Sequence, residues 1–250
     1  MMPFAAPRRL ALAALIAAGP VLAHDTWFAP ADDTLALGTG NVYPLQESGI
    51  DARYLARDGC GSEAGTTRLT PLRNVDNALI VAAPAGPASC WAQLTPFEIE
   101  LAPDKIDLYL REVRPPQAVL DAWAAIHARG LPWKERYTKH VRISLDGGGT
   151  AEREPSGMDL DVVVEARQPF ALRILRDGQP LAGFAVELRN ENSRFGLWRR
   201  TDDQGRLTFQ PPLPGRWLLR GVDLRLSDRQ PDAFESRFID FGFEARRAGP

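Results

Sequence analysis

The chain is poor in the residues that usually declare a chemistry. Its 250 residues include three histidines, two cysteines and three methionines. It has no CxxC pair, no HExxH, no Gly-x-Ser-x-Gly and no phosphate-binding glycine loop. The patterns of a zincin, a hydrolase elbow and a P-loop nucleotide site are therefore absent. "DGGGT" at 146–150 is a glycine cluster without the strand-to-helix setting a phosphate site needs. Carboxylates are numerous, but no spacing selects an acid/base pair. A formal net charge of −2 argues against nucleic acid and against an electrostatic hold on anionic lipid. Beyond the first two dozen residues no apolar run approaches the roughly 20 residues a membrane span needs.

The first residues do carry a message. "MMPFAAPRRL ALAALIAAGP VLA" places Arg8 and Arg9 ahead of an apolar run from Leu10 to Ala18, followed by small residues. That is the layout of a secretory signal peptide, residues 1–23, with Val21 and Ala23 at the small-residue positions before the cut. The apolar run is too short for a membrane anchor. Cleavage after Ala23 makes His24 the first residue of the mature protein and takes the formal charge from −2 to −4. The expected product is a periplasmic or secreted protein with no stable membrane insertion after cleavage. In such an oxidising compartment Cys60 and Cys90 are expected to form a disulfide, closing a loop of about 30 residues. A thiolate metal site is the weaker alternative.

Glycine and proline, 21 of each, punctuate short apolar segments and do not gather into a linker. Strands are expected at 34–38, 52–57, 66–70, 78–83, 90–94, 97–101 and 138–145, a spacing that suits an antiparallel sandwich. One stretch differs. "RPPQAVLDAWAAIHARGLPW" opens on Pro115-Pro116, closes at Gly130, and carries Val119, Trp123 and Ile126 at helical spacing, so a helix is expected from about 116 to 129. A second short helical piece is expected in "PWKERY". The polar, glycine-rich segment 146–157 is the best domain boundary. Beyond it "MDLDVVVEA", "FALRILRDG", "GRWLLRGV" and "SRFIDFGFEA" read as strands, with Ile239, Phe241 and Phe243 on the core-facing side of the last. The expected fold is mostly β: two β-sandwich domains (Ig-like or prealbumin-like), residues 24–150 and 157–250, with a short helical insertion near 116–137.

Two resemblances refine this. "DGQPLAGFAVEL…TDDQGRLTFQPPLPGRWLL" resembles the prealbumin-like or carboxypeptidase-regulatory-like β-sandwich, with Gly178, Gly183, Asp203, Gly205 and Pro214-Gly215 at its turns. That module implies a fold and no activity. The whole chain resembles an exported bacterial family of unknown function that carries a nickel-uptake, substrate-specific-component description. The matching residues are His24, Asp25 and Trp27 after the signal peptide, "WKERYTKHVR" inside the chain and "ESRFIDFGFEA" at its end. The resemblance implies a divalent transition metal and a membrane transporter component as partner. His140 departs from the family's pattern, so no role for it carries over.

The residues give that implication a chemistry. An N-terminal histidine offers two nitrogens to one ion, its α-amine and its ring Nδ1. Both have pKa values near neutrality, so metal binding displaces few protons. A third nitrogen from a distant imidazole completes a T-shaped set, the histidine brace. Planar nitrogen sets suit Cu(II) or Ni(II). His140 or His127 must then supply the distant ring, and Asp25 could orient a ligand or act as a weak oxygen donor.

Each piece has a plainer reading. His24 follows a good cleavage site in any case. Trp27 and Phe28 suit a strand anchored in a core better than a substrate platform. His127 sits on a helix flank. His140 shares a polar strand face with Thr138 and Arg142, which is either solvent or a site. Glu135, Arg136, Lys139 and Arg142 read as solvated surface charges. The sequence therefore points first to an exported metal-handling protein, with His24, Asp25, His127 and His140 as candidate ligands. The alternative is a non-catalytic periplasmic interaction module that uses its sheet edges or exposed aromatics. An oxidative copper enzyme is a third reading that needs an open coordination position and a flat substrate face.

Overall fold

A computed structural model describes residues 24–245, so the expected signal peptide lies outside the described residues. The first half of the chain forms β1 (Asp25–Ala31), β2 (Thr34–Gly40), β3 (Ser48–Gly49), β4 (Leu55–Ser62), β5 (Gly65–Thr67), β6 (Pro71–Val75), β7 (Ala78–Ala82), β8 (Ala88–Leu94) and β9 (Phe97–Leu101). Two helices follow, α1 (Pro103–Val113) and α2 (Gln117–Ala128), and then the long β10 (Trp133–Leu145). The second half forms β11 (Leu160–Arg167), β12 (Phe170–Arg176), β13 (Gln179–Pro180), β14 (Ala185–Asn190), β15 (Leu197–Arg200), β16 (Arg206–Phe209), β17 (Gly215–Leu226) and β18 (Phe234–Ala245). The fold is mostly β, of sandwich type, with a short helical insertion.

The strands make one shared sheet and two covers. A nine-stranded central sheet runs β15-β14-β17-β18-β10-β8-β4-β5, with β9 attached to β10. It crosses from one half of the chain to the other where β10 and β18 pair in parallel, Glu135 beside Phe234 through Ile143 beside Gly242. The first cover is β1-β2-β7-β6 with β3 on β2; the second is β11-β12-β13 with β16 on β12. Cys60 and Cys90 face each other across β4 and β8 and are disulfide-bonded.

Side-chain alternation sorts these layers. On β10, Val141 and Ile143 join Cys60, Cys90 and Ala92 beneath Phe28, Leu35, Leu37, Leu79 and Val81 of the first cover. On β18, Ile239, Phe241 and Phe243 face the second cover, packing with Leu160, Val162, Leu172 and Phe209. The odd-numbered face of the last strand therefore meets a core as its sequence implies. Its other face is buried too: Phe234 and Phe238 pack with Val222, Leu224 and Trp133 under the helices.

The helical insertion is larger than the sequence pattern suggests. α2 forms where Val119, Trp123 and Ile126 predict it. α1 was not expected; Pro103 opens it, Ile106, Tyr109 and Val113 form its buried stripe, and Arg114 ends it in the left-handed region (φ 48°). "PWKERY" is strand and not helix. Trp133 and Glu135 alternate inward with Lys134 outward, and β9 and β18 pair on either side. Glu135 is buried and accepts from Tyr109 Oη (2.8 Å) and Trp133 Nε1 (2.8 Å) and from Ser236 Oγ. Burial raises its carboxyl above the usual range, against the pull of those three donors.

Arg142 is likewise buried and not solvated. It is 1% exposed, on the β10 face toward the second cover. Its guanidinium donates to Ser89 Oγ, Asp161 Oδ1 and three carbonyls, of Val162, Ala151 and Glu154. One side chain thus ties the polar 146–157 segment and the start of β11 to the central sheet. Breaking a buried pair from one side leaves an uncompensated charge. Arg142→Met should therefore lower the unfolding free energy by about 3–5 kcal/mol, through the stranded Asp161. Urea unfolding should show a lower midpoint with an unchanged slope, and Arg142→Met/Asp161→Leu should recover part of the loss. A neutral single variant would mean the guanidinium is not holding the linker.

Candidate functional site

β1 lays the start of the described chain across the central sheet. Asp25, Thr26, Trp27 and Phe28 are all buried. Trp27 packs edge-on against Tyr43 at 5.6 Å, and its carbonyl accepts from Gln46 Nε2 (2.8 Å). The aromatics after His24 are therefore strand anchors.

Beneath β1 lies a row of charges. Glu187 on β14, Arg220 on β17 and Asp240 on β18 are direct cross-strand neighbours. Arg220 Nη1 reaches Glu187 Oε2 at 3.1 Å, and its Nε reaches Asp25 Oδ1 from β1 at 2.7 Å. Arg189 spans the same two carboxylates, at 3.3 Å from Asp25 and 2.9 Å from Glu187. The Thr26 N–H donates to Asp240 Oδ2 (2.9 Å), while Asp240 Oδ1 is buried without a partner. Lys139 Nζ donates to the His24 carbonyl (2.7 Å) and to Thr26 Oγ1 (3.0 Å). Burial drives the Lys139 ammonium down to about 8, against Asp240 and Asp25. Burial and then the Asp25 charge push the Asp240 carboxyl well above its usual range.

This cluster was not legible as a site. Lys139 reads as a surface charge, and Asp240 alternates with the core-facing Ile239, Phe241 and Phe243 and so falls on the other face of its strand. The available signal is an ionisable group inside an apolar strand: "LLRGV" and "FIDFGF" each set one among residues that favour burial.

His24 stands at the edge of the cluster, half-buried. Its Nε2 is enclosed without a partner, and its Nδ1 makes no hydrogen bond to any described residue. Burial and the Lys139 charge lower the ring's pKa, with Glu47 and Asp25 pulling the other way. Asp25 is committed to Arg220 and Arg189.

The structure does not bring the three histidines together. His140 is on the face of β10 opposite Lys139, so the central sheet separates it from His24. It is 0% exposed, and Nδ1 lies 2.9 Å from the Phe238 carbonyl. A carbonyl can only accept, so Nδ1 carries the proton, and Nε2 is a buried acceptor with no partner. The polar face that sequence left as solvent or site is thus closed by the second half of the chain. Gln93, beside His140 in the sheet, bonds Asp159 at both ends of its amide. His127 is exposed on α2, its ring tilted against Trp123 at 5.1 Å. Among the described residues no group of three or more His, Cys, Asp or Glu is placed to hold a metal ion. A three-nitrogen brace from His24 with His140 or His127 is therefore not assembled among the described residues.

The class defined by this geometry is a β-sandwich protein of two covers on one sheet, with its first strand locked onto a buried charge row. No family model, no curated protein and no solved structure matches the chain.

Burial lowers the His140 ring from 6.5 to about 4, despite the Phe238 carbonyl. The folded state therefore holds the neutral ring, and the unfolded chain takes up the proton first as pH falls. The stability contribution is complete above pH 6.5 and is lost progressively toward about pH 4, in all about 3 kcal/mol. Urea unfolding at stepped pH should show this slope in the parent and a reduced one in His140→Gln. Parallel pH profiles would place His140 in a hydrated setting.

Proposed function

We propose that this is an exported, periplasmic metal-handling protein. It takes up one Cu(II) or Ni(II) ion as cargo through His24, once His24 is the first residue, and supplies it to a membrane transporter component. The observation that carries the reading is the state of residue 24. Its carbonyl is tethered by Lys139, its Nε2 is turned inward, and Nδ1, the nitrogen that can chelate with the backbone nitrogen, has no described partner. The lowered pKa keeps the ring neutral near pH 7, the form that binds metal. The resemblance of His24, Asp25 and Trp27 to the nickel-uptake family points the same way.

Two nitrogens on one residue leave the other coordination positions to water or to a partner's donors. Lys139 sets a positive charge beside the site. Both features make it weaker than a complete brace, which suits an ion that is to be passed on. Asp25 would act from the second layer, through the hydrogen bonds that fix β1.

The test uses protein exported and processed by the cell, its N-terminus confirmed by intact mass. Calorimetric titration with Cu(II) and Ni(II) should show one-to-one binding, weakened at least about a hundredfold by a single glycine added before His24, since the amine is then displaced. His140→Ala and His127→Ala should bind like the parent. Equal, weak binding by the processed and extended proteins would overturn the reading.

A second reading, a non-catalytic interaction module, is favoured by one observation. The β15 edge of the central sheet is open and carries arginines without carboxylate partners beside the most exposed aromatic of the described chain, Phe195.

A further inference from the structure

We propose that the β15 edge binds an acidic, extended segment of a partner protein, which adds to the central sheet as a further strand. The inference is independent of metal binding and rests on the interaction-module reading, to which it gives a partner chemistry.

The edge has the backbone for it. β15 pairs with β14 alone. The Thr201 N–H donates to the Phe184 carbonyl on the β14 side. Counting back in steps of two, Arg199 and Leu197 turn their backbone groups inward as well. Trp198 and Arg200 therefore turn theirs outward. The Trp198 carbonyl is met only by the Arg199 side chain, at 2.8 Å. An exposed sheet edge of this kind is a template for strand addition.

The side chains fix the sign of the occupant. Arg114, at the end of α1, stacks 3.9 Å over the Trp198 ring. With Arg199 and Arg200 these residues line a hollow of about 240 Å³ along the edge. Arg194 and Phe195 lie on the turn just before β15, and Phe195 is 84% exposed. Arg199 and Arg200 bond only carbonyls, of Trp198 and Gly183. None of Arg114, Arg194, Arg199 and Arg200 has a carboxylate partner among the described residues. By contrast Arg189, Arg216 and Arg220, on neighbouring strands of the same sheet, are each ion-paired. A second copy of this chain is disfavoured at this edge, because pairing β15 with itself would set arginine against arginine. An acidic strand would satisfy both the outward backbone groups and the unpaired guanidinium groups, with Arg114 and Arg200 on one face and Arg199 on the other.

The probe is a fluorescein-labelled ten-residue peptide alternating Glu with Thr. Two companions test charge and strand formation separately: Lys in place of Glu, and Pro in place of Thr. Anisotropy titrations at low salt should show the Glu–Thr peptide binding at least tenfold tighter than either companion. Hydrogen exchange should slow at the Trp198 and Arg200 amides. Arg199→Glu/Arg200→Glu should weaken binding at least tenfold while keeping the parent's thermal unfolding midpoint and Cu(II) titration. Equal binding of the proline peptide, or no effect of the double reversal, would overturn the proposal. Protection of the same amides by the Lys peptide would overturn the acidic partner and leave the interaction-module reading standing. No protection by any of the three would overturn both.

Discussion

The parallel pairing of β10 with β18 is the constraint from which the rest of the structure follows. Parallel neighbours need a long crossover. Here the crossover is the whole second half of the chain, from residue 146 to residue 233. Because β10 and β18 share one ladder, the two halves do not have separate inner sheets. Each lends strands to a common one and keeps only its cover. Both faces of β18 are then buried, one under the second cover and one under the helices and the first cover. A strand buried on both faces reads as nearly continuous apolar sequence, and "FIDFGF" at its centre does so except at Asp240.

That exception explains where the first strand lies. A carboxylate in the middle of a doubly covered strand must be compensated. The Thr26 N–H above it, Arg220 beside it in the sheet and Lys139 on the neighbouring strand compensate it only in part, since burial and Asp25 still push its carboxyl well above the usual range. Asp25, over Arg220 and Arg189, answers the cations in turn. Charge pairing at this depth adds little net stability over an apolar filling. It does specify position. β1 shifted by one residue would take Asp25 away from Arg220 and Arg189 and leave both to Glu187 alone. The row therefore acts as a register pin for the one strand whose beginning carries His24.

Much of this was legible in the sequence, and the rest has a common physical reason. The short strands, the α2 helix with its Val119, Trp123 and Ile126 stripe, the Cys60–Cys90 bond and the inward odd face of β18 follow from local periodicity and compartment. Periodicity speaks only of a residue's own element, so what covers an element is invisible to it. Arg142, Lys139 and Glu135 look like surface charges because they alternate with apolar residues on a strand that might have one wet face. They are buried because another layer covers them: β1 over Lys139, the 151–162 stretch over Arg142, and the helical insertion over Glu135. The same blindness set His140 beside His24 as a candidate partner. Both histidines lie near β10, but alternation puts the side chains on opposite faces of it, and no chain flexibility lets an imidazole cross a hydrogen-bonded sheet. α1 was missed for a local reason: "PDKIDLYLREV" is charged enough to pass for a loop unless Ile106, Tyr109 and Val113 are read together as a stripe.

Residue 24 sits where two requirements meet. A terminal amine can chelate only if it is free, and a chelate is useful to a partner only if it is held in a known place. Everything from the His24 carbonyl onward is bonded into the fold, through Lys139, Thr26 and Asp25. On the proposed reading, fixing the carbonyl would leave the amine and ring Nδ1 to close on an ion by rotation about few bonds, so little conformational entropy would oppose chelation. A rigid strand that ends one atom short of its donors is a sound way to present two nitrogens.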